Sequence, residues 1–231
     1  MKNNKTLGLI GGLGPASTID YYRDIIEKFR LKNGNYPNII INSVDMEEMM
    51  DLLNKKDYTN LKNKFIQYII QLKDAKCDFI AIASNTPHII IEDLKKESSL
   101  PINSIVDSSV NYGKEKGYKN VLLTGTSFTM ENDFYKNAFK KENINCITPN
   151  KEGINIIQNI IYPDLENGII KEGKKEEYLE VVNKIIEKED VDCLALACTE
   201  LPLLIKEEDI DLPLLNTTKV HINSILKDLE K

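Results

Sequence analysis

No stretch of this 231-residue sequence approaches the apolar length that a membrane span requires. The opening, MKNNKTLGLIGGLGP, is basic, but its apolar run is too short and too broken by glycine for a signal peptide. Cysteine is scarce: Cys77, Cys146, Cys193 and Cys198 form no CxxC pair, so neither a zinc site nor a disulfide framework is expected. Cations are scattered, and 30 Lys and Arg against 36 Asp and Glu leave a net charge of −6. That balance carries no nucleic-acid footprint. These absences point to a soluble cytoplasmic protein with reduced thiols and no metal, nucleic acid or membrane among its partners. What remains is ordinary globular composition, 42% hydrophobic and 29% charged, with enough chain to bury a core as one large domain or two small ones.

Short apolar runs alternate with longer amphipathic ones. LGLIG (7–11), NIIINSV (38–44), DFIAIA (78–83), VLLTG (121–125) and DCLALA (192–197) read as buried strands. Between them, IDYYRDIIEKF (19–29), NLKNKFIQYIIQLKDA (60–75) and EEYLEVVNKIIEKE (176–189) read as helices. The alternation predicts an α/β protein with parallel sheets.

The chain also resembles itself. DFIAIASNTPH (78–88) matches DCLALACTELP (192–202) at an offset of 114, which also places Gly11 on Gly125. DYYRDII lies over DFYKNAF at an offset of 113, and LPINS over LPLLNT near 112. Four anchors in one order indicate an internal duplication into two pseudo-symmetric α/β halves. The expected halves are 1–105, joined by the returning segment 213–231, and 106–212. Val220, Ile222, Ile225 and Leu229 in that last segment need an apolar surface to cover. Ligands of open parallel α/β units bind beyond the carboxyl ends of the strands. The duplication therefore predicts a cleft between the halves, with Ser84 and Cys198 at equivalent strand ends on its two sides.

Cys198 sits where a strand gives way to a turn and a helix, so backbone N–H groups and a helix end are expected to favour a thiolate. Thr199 and Glu200 add a hydroxyl and a carboxylate to the same loop. The competing reading is a small buried residue closing a strand. Ser84, Asn85 and Thr86 form a short polar turn suited to a carboxylate, or simply to capping the next helix. His88 follows this turn and reads as packed rather than as a base, and His221 reads as structural. GGLGPAST (11–18) nearly fits a dinucleotide turn, with Asp45 as the candidate ribose ligand. The alternative is a loop that frames the cleft, with Pro15 at the first helical position and Ser17 and Thr18 as caps. The second repeat favours the framing role, because Gly125, Thr126 and Thr129 there bring hydroxyls and no glycine string.

Taken in order, GGLGPAST, SNTPH, GTSFTMENDFY and ACTELP resemble the successive signatures of the aspartate/glutamate racemase family, across essentially the whole chain. The resemblance implies an amino-acid racemase without a cofactor. In such enzymes one residue removes the α-proton and another returns a proton to the opposite face. By motif, Cys198 and Ser84 take the two acid/base places. Asn85, Thr86 and Thr199 would hold the substrate's α-carboxylate, with Pro15, Thr126 and Thr129 as neighbours. The expected partners are a small-molecule amino acid and a second copy of the chain, as a homodimer.

Two departures bear on this reading. The family's usual pair is two cysteines, and a serine hydroxyl is a poorer proton carrier near neutral pH than a thiol. An enzyme working mainly on the L form fits that change. So do a silent amino-acid-binding protein and a one-thiol decarboxylase or isomerase. Family members that act on acidic substrates grip the distal carboxylate with cations, often after the second strand. Here VDMEEMMDLLN (44–54) holds none, which leaves neutral and basic amino acids open beside aspartate and glutamate.

Overall fold

The computed structural model describes residues 5–231. The basic opening at 1–4 lies outside them. The chain divides into two compact units: one runs through Ile105 and resumes at His221–Lys231, and the other is Val106–Val220.

The first unit begins with β1 (Thr6–Gly11), α1 (Pro15–Asn33), β2 (Asn38–Ser43), α2 (Met46–Asn54) and α3 (Tyr58–Asp74). It continues with β3 (Phe79–Ile82), a 3-10 helix over Thr86–Ile90, α4 (Ile91–Glu97) and β4 (Ile102–Asn103), and passes into α5 (Ile105–Lys116). The sheet order is β2-β1-β3-β4, all parallel. β1 and β3 are central and covered on both faces, which is why they read as unbroken apolar runs: Leu7, Leu9, Ile10, Phe79, Ile80 and Ile82 are all buried. Pro15 opens α1, where its fixed φ and missing N–H cost nothing. Tyr21, Ile25 and Phe29, spaced four apart, form its buried stripe. The helix ends at Gly34, left-handed at φ 74°, whose N–H closes on the Arg30 carbonyl.

The second unit repeats the plan with β5 (Asn120–Gly125), α6 (Ser127–Glu131), α7 (Phe134–Lys141), β6 (Asn145–Ile147) and α8 (Lys151–Ile161). A 3-10 helix over Leu165–Asn167, α9 (Lys174–Ile186), β7 (Cys193–Ala197) and α10 (Leu201–Leu204) follow. β8 (Leu214–Asn216) and α11 (Thr217–Leu229) end the chain. Its sheet runs β6-β5-β7-β8, again parallel, the same order as the first. The duplicated parallel α/β architecture is thus present in both halves. β6 has no counterpart among the expected strands, because its three residues sit between polar neighbours and make no apolar run.

The helices that follow the two last strands are exchanged. α5 follows β4, yet it packs in the second unit: a Cβ on its Gly113 would lie 3.5 Å from both Phe139 and Ile144. α11 follows β8, yet its Ile222, Ile225 and Leu229 are buried with Leu7, Leu9, Tyr21, Ile25 and Phe29 of the first unit. Burying three such side chains contributes roughly 1.5–3 kcal/mol each. The return to the first unit therefore starts at 221 inside α11 rather than at 213, since β8 pairs with β7. The structure also corrects one repeat register. The fully buried tyrosines at equivalent places are Tyr21 and Tyr135, which align at 114 and not at 113.

Candidate active site

At the carboxyl end of β7 the chain turns at Cys198, which is only 6% exposed. Its Sγ donates to Oε2 of Glu200 over 3.0 Å. Burial, with the Glu200 carboxylate second, pushes the thiol well above its usual range. The backbone N–H groups of Glu200 and Leu201 act the other way and do not prevail. The sequence reading favoured a thiolate, but α10 is a single turn, and desolvation outweighs two backbone dipoles. Cys198 therefore rests as a thiol hydrogen-bonded to Glu200.

The bed beneath this loop is built from neighbouring strands. Gly125 pairs with Ala197, which sets Thr126 beside Cys198 at the same sheet edge. A Cβ on Gly125 would come within 2.7 Å of the Ala197 carbonyl oxygen, so only glycine allows this approach. Thr126 caps α6, accepting from the Thr129 N–H at 3.3 Å, and the two hydroxyls stand 3.2 Å apart. Thr124 donates to the Ala195 carbonyl at 3.0 Å, so the buried Tyr178 hydroxyl must donate to Thr124 across their 2.6 Å contact. Thr217 donates to the Leu196 carbonyl at 3.0 Å. Thr199 and Glu200 are half-buried. Glu166 has its carboxyl raised by burial and then by the charge of Glu200. The sequence reading had no sign of Tyr178 or Glu166, because a tyrosine at core spacing and a glutamate in a loop look ordinary.

The first unit presents the equivalent edge. Ser84 follows β3 half-buried, Asn85 is buried and Thr86 half-buried, while Pro15 is exposed. The Ser17 hydroxyl donates to the Ala83 carbonyl at 3.0 Å, tying α1 to the end of β3. Thr18 Oγ1 accepts from the Gly12 N–H at 2.9 Å and donates to the Gly14 carbonyl at 3.3 Å. Both hydroxyls lie in the first turn of α1, not at its cap. Asp45 is the N-cap of α2 and accepts from the Glu47 and Glu48 N–H groups, which removes it as a ribose ligand. The glycine loop thus frames the strand ends.

His221 is buried with both ring nitrogens matched. The Asn103 carbonyl at 2.9 Å can only accept, so Nε2 carries the hydrogen and Nδ1 accepts from the Tyr21 hydroxyl at 2.8 Å. It is structural, as read from sequence. Among the described residues, no three His, Cys, Asp or Glu side chains are grouped closely enough to hold a metal ion. Among the described residues, no helix is long and apolar enough to cross a membrane.

The model of the family described as "Asp/Glu/Hydantoin racemase" matches residues 10–225. The chain belongs to that family. Its class is therefore that of the amino-acid racemases, which are isomerases. A structure of a Yersinia pestis protein classed with the Asp/Glu racemases superposes with a TM-score of 0.92 at 33% identity, covering 98% of this chain and 100% of that one. An aspartate racemase homologue from Pyrococcus horikoshii gives 0.86 at 30% identity, covering 98% and 100%. The broad specificity amino-acid racemase RacX of Bacillus subtilis is 22% identical over 223 residues, 92% of each chain.

Proposed function

We propose that this family member moves a proton at the α-carbon of a free amino acid in the cytoplasm, with Cys198 as acid/base on one face and Ser84 on the other. The observation that carries the reading is the 3.0 Å contact from Cys198 Sγ to Glu200 Oε2 at a strand end whose repeat equivalent bears Ser84. The thiol proton passes to the Glu200 carboxylate, giving a thiolate and a carboxylic acid. The thiolate then takes the α-proton, leaving a carbanion, and a proton returned from Cys198 restores the starting enantiomer. A proton delivered from the Ser84 hydroxyl instead inverts it, leaving Cys198 a thiol, Ser84 an alkoxide and Glu200 a carboxylic acid; Glu200 then gives its proton to solvent and Ser84 takes one back, which resets the site. Asn85, Thr86 and Thr199 serve the α-carboxylate, with Pro15, Thr126 and Thr129 around it. This requires the two loops to address one α-carbon.

A serine in place of a second thiol supports an enzyme that works mainly on the L form. The test is a panel of L- and D-amino acids in deuterated water, read by loss of each α-proton resonance. Uptake from at least one L-amino acid supports the proposal. Binding without uptake from either enantiomer would make the protein a silent binder, and carbon dioxide from a malonate-type acid would make it a decarboxylase.

A further inference from the structure

Next to Glu200 stands a carboxylate that the proton transfer does not use. Between residues 162 and 177 three acidic side chains are half-buried: Asp164, Glu166 and Glu177. Asp164 pairs with Lys171 at 2.7 Å, and Glu177 with Lys174 at 2.5 Å. Among the described residues, Glu166 has neither an ion pair nor a hydrogen bond. The charge that bears on it is that of Glu200, which has the same sign. A partly buried carboxylate without a partner is costly, and a second one beside it adds to the cost. Packing alone gains nothing from such a pair, whereas a bound cation would be held by it.

The placement of Glu166 ties it to the Cys198 loop. The 3-10 turn that carries it rests against α10, the helix that Glu200 opens. Leu165, one residue before it, lies in one buried cluster with Cys198, Leu201 and Leu204. The Glu166 backbone is thereby fixed at the Cys198 edge of this unit. Glu200 is already engaged with the thiol over 3.0 Å. An α-carbon brought to Cys198 would set its own α-ammonium next to that pair. Glu166 comes from a separate loop and bears on Glu200, which places it for a group several bonds from the α-carbon. Among the described residues no third ligand completes a metal site there. Two carboxylates suit an ammonium or a guanidinium, each of which donates charge-assisted hydrogen bonds. The stretch after β2, VDMEEMMDLLN, offers no cation to an acidic side chain either.

We infer that Glu166 is the specificity-determining residue of the Cys198 site, and that the substrate is an amino acid whose side chain ends in an ammonium or guanidinium. The inference rests on the racemase reading and names its substrate class. A cationic side chain would offset the repulsion between Glu166 and Glu200, whereas an acidic one would add to it.

The experiment measures kcat/KM for α-deuterium exchange of L-lysine, L-ornithine, L-arginine, L-norleucine and L-glutamate, in the unsubstituted protein and in Glu166→Gln. Norleucine keeps the lysine chain without its terminal amino group, so a ratio to norleucine isolates the distal cation. At least one basic amino acid should exceed norleucine about tenfold or more, the scale of a hydrogen bond to a charged group. Glutamate should be slowest. Glu166→Gln should lower the ratio of basic amino acid to norleucine about tenfold. A loss of fold would act on every amino acid alike and leave that ratio unmoved. Norleucine or glutamate at least as fast as every basic amino acid would overturn the inference and leave the racemase reading intact. So would an unchanged ratio in Glu166→Gln, the result expected if Glu166 served the α-ammonium common to all five. Should Glu166→Gln fail to fold, the ratios of the unsubstituted protein decide. No exchange from any amino acid would instead sink the racemase reading. Calorimetric titration with the three basic amino acids and norleucine would then decide the inference, and equal affinities would overturn it.

Discussion

Cys198 donates its thiol hydrogen to Glu200, two residues along the same turn and 3.0 Å away. The contact binds two opposing effects. The carboxylate offers a destination for the proton, and its charge raises the thiol further above its usual range. Glu200→Gln should therefore separate reactivity from catalysis. With the charge gone, iodoacetamide should label Cys198 faster at pH 8. With the acceptor gone, α-proton exchange should fall roughly a hundredfold, the scale of a lost general base. Slower labelling together with unchanged exchange would remove Glu200 from the mechanism.

Gly125→Ala tests the bed under the same loop. The added methyl would press to within 2.7 Å of the Ala197 carbonyl, a backbone atom that cannot rotate away. A loss of about 1–3 kcal/mol is expected, read as a lower urea midpoint, together with weaker exchange because β7 ends at Cys198. A midpoint equal to that of the unsubstituted chain would mean that β5 and β7 tolerate the wider spacing.

Acid should weaken the first unit through its two buried histidines. In the folded chain His88 falls to about 3 and His221 to about 4, against 6.5 for the exposed group. The unfolded state then binds more protons, so stability is fully present above about 6.5 and declines as the pH falls toward about 4. Each histidine should cost about 2 kcal/mol by pH 5. Thermal melts between pH 7.5 and 5 should show the decline, and His221→Asn should flatten it. A pH-independent melting temperature in that window would contradict the burial of both rings.

The duplication was legible because parallel strands buried on both faces must be apolar throughout, and a repeated strand–turn leaves Ser84 and Cys198 at one spacing. The return of the last helix to the first unit was legible too, in the apolar positions Ile222, Ile225 and Leu229 that need a surface to cover. Its start at 221 rather than 213 was not, since the pairing of β8 with β7 is a tertiary choice. Asp45 misled because one carboxylate after a strand suits a ribose and an N-cap equally. Glu200 was visible as a neighbour of Cys198, but its effect on the thiol depends on burial, which the sequence does not display. His88 read as packed, and it is fully buried.

Ser84→Ala should suppress inversion much more than exchange, and Cys198→Ala should abolish both. The most direct test of the central claim is to time exchange and inversion separately for each enantiomer in deuterated water, in the unsubstituted protein and in Ser84→Cys. The account predicts that the L-enantiomer exchanges its α-proton faster than it inverts, that the D-enantiomer exchanges slowly, and that Ser84→Cys raises inversion by placing a thiol at the second face. Equal rates of inversion and exchange for both enantiomers would contradict it. So would a well-folded Ser84→Cys protein that binds substrate and inverts no faster.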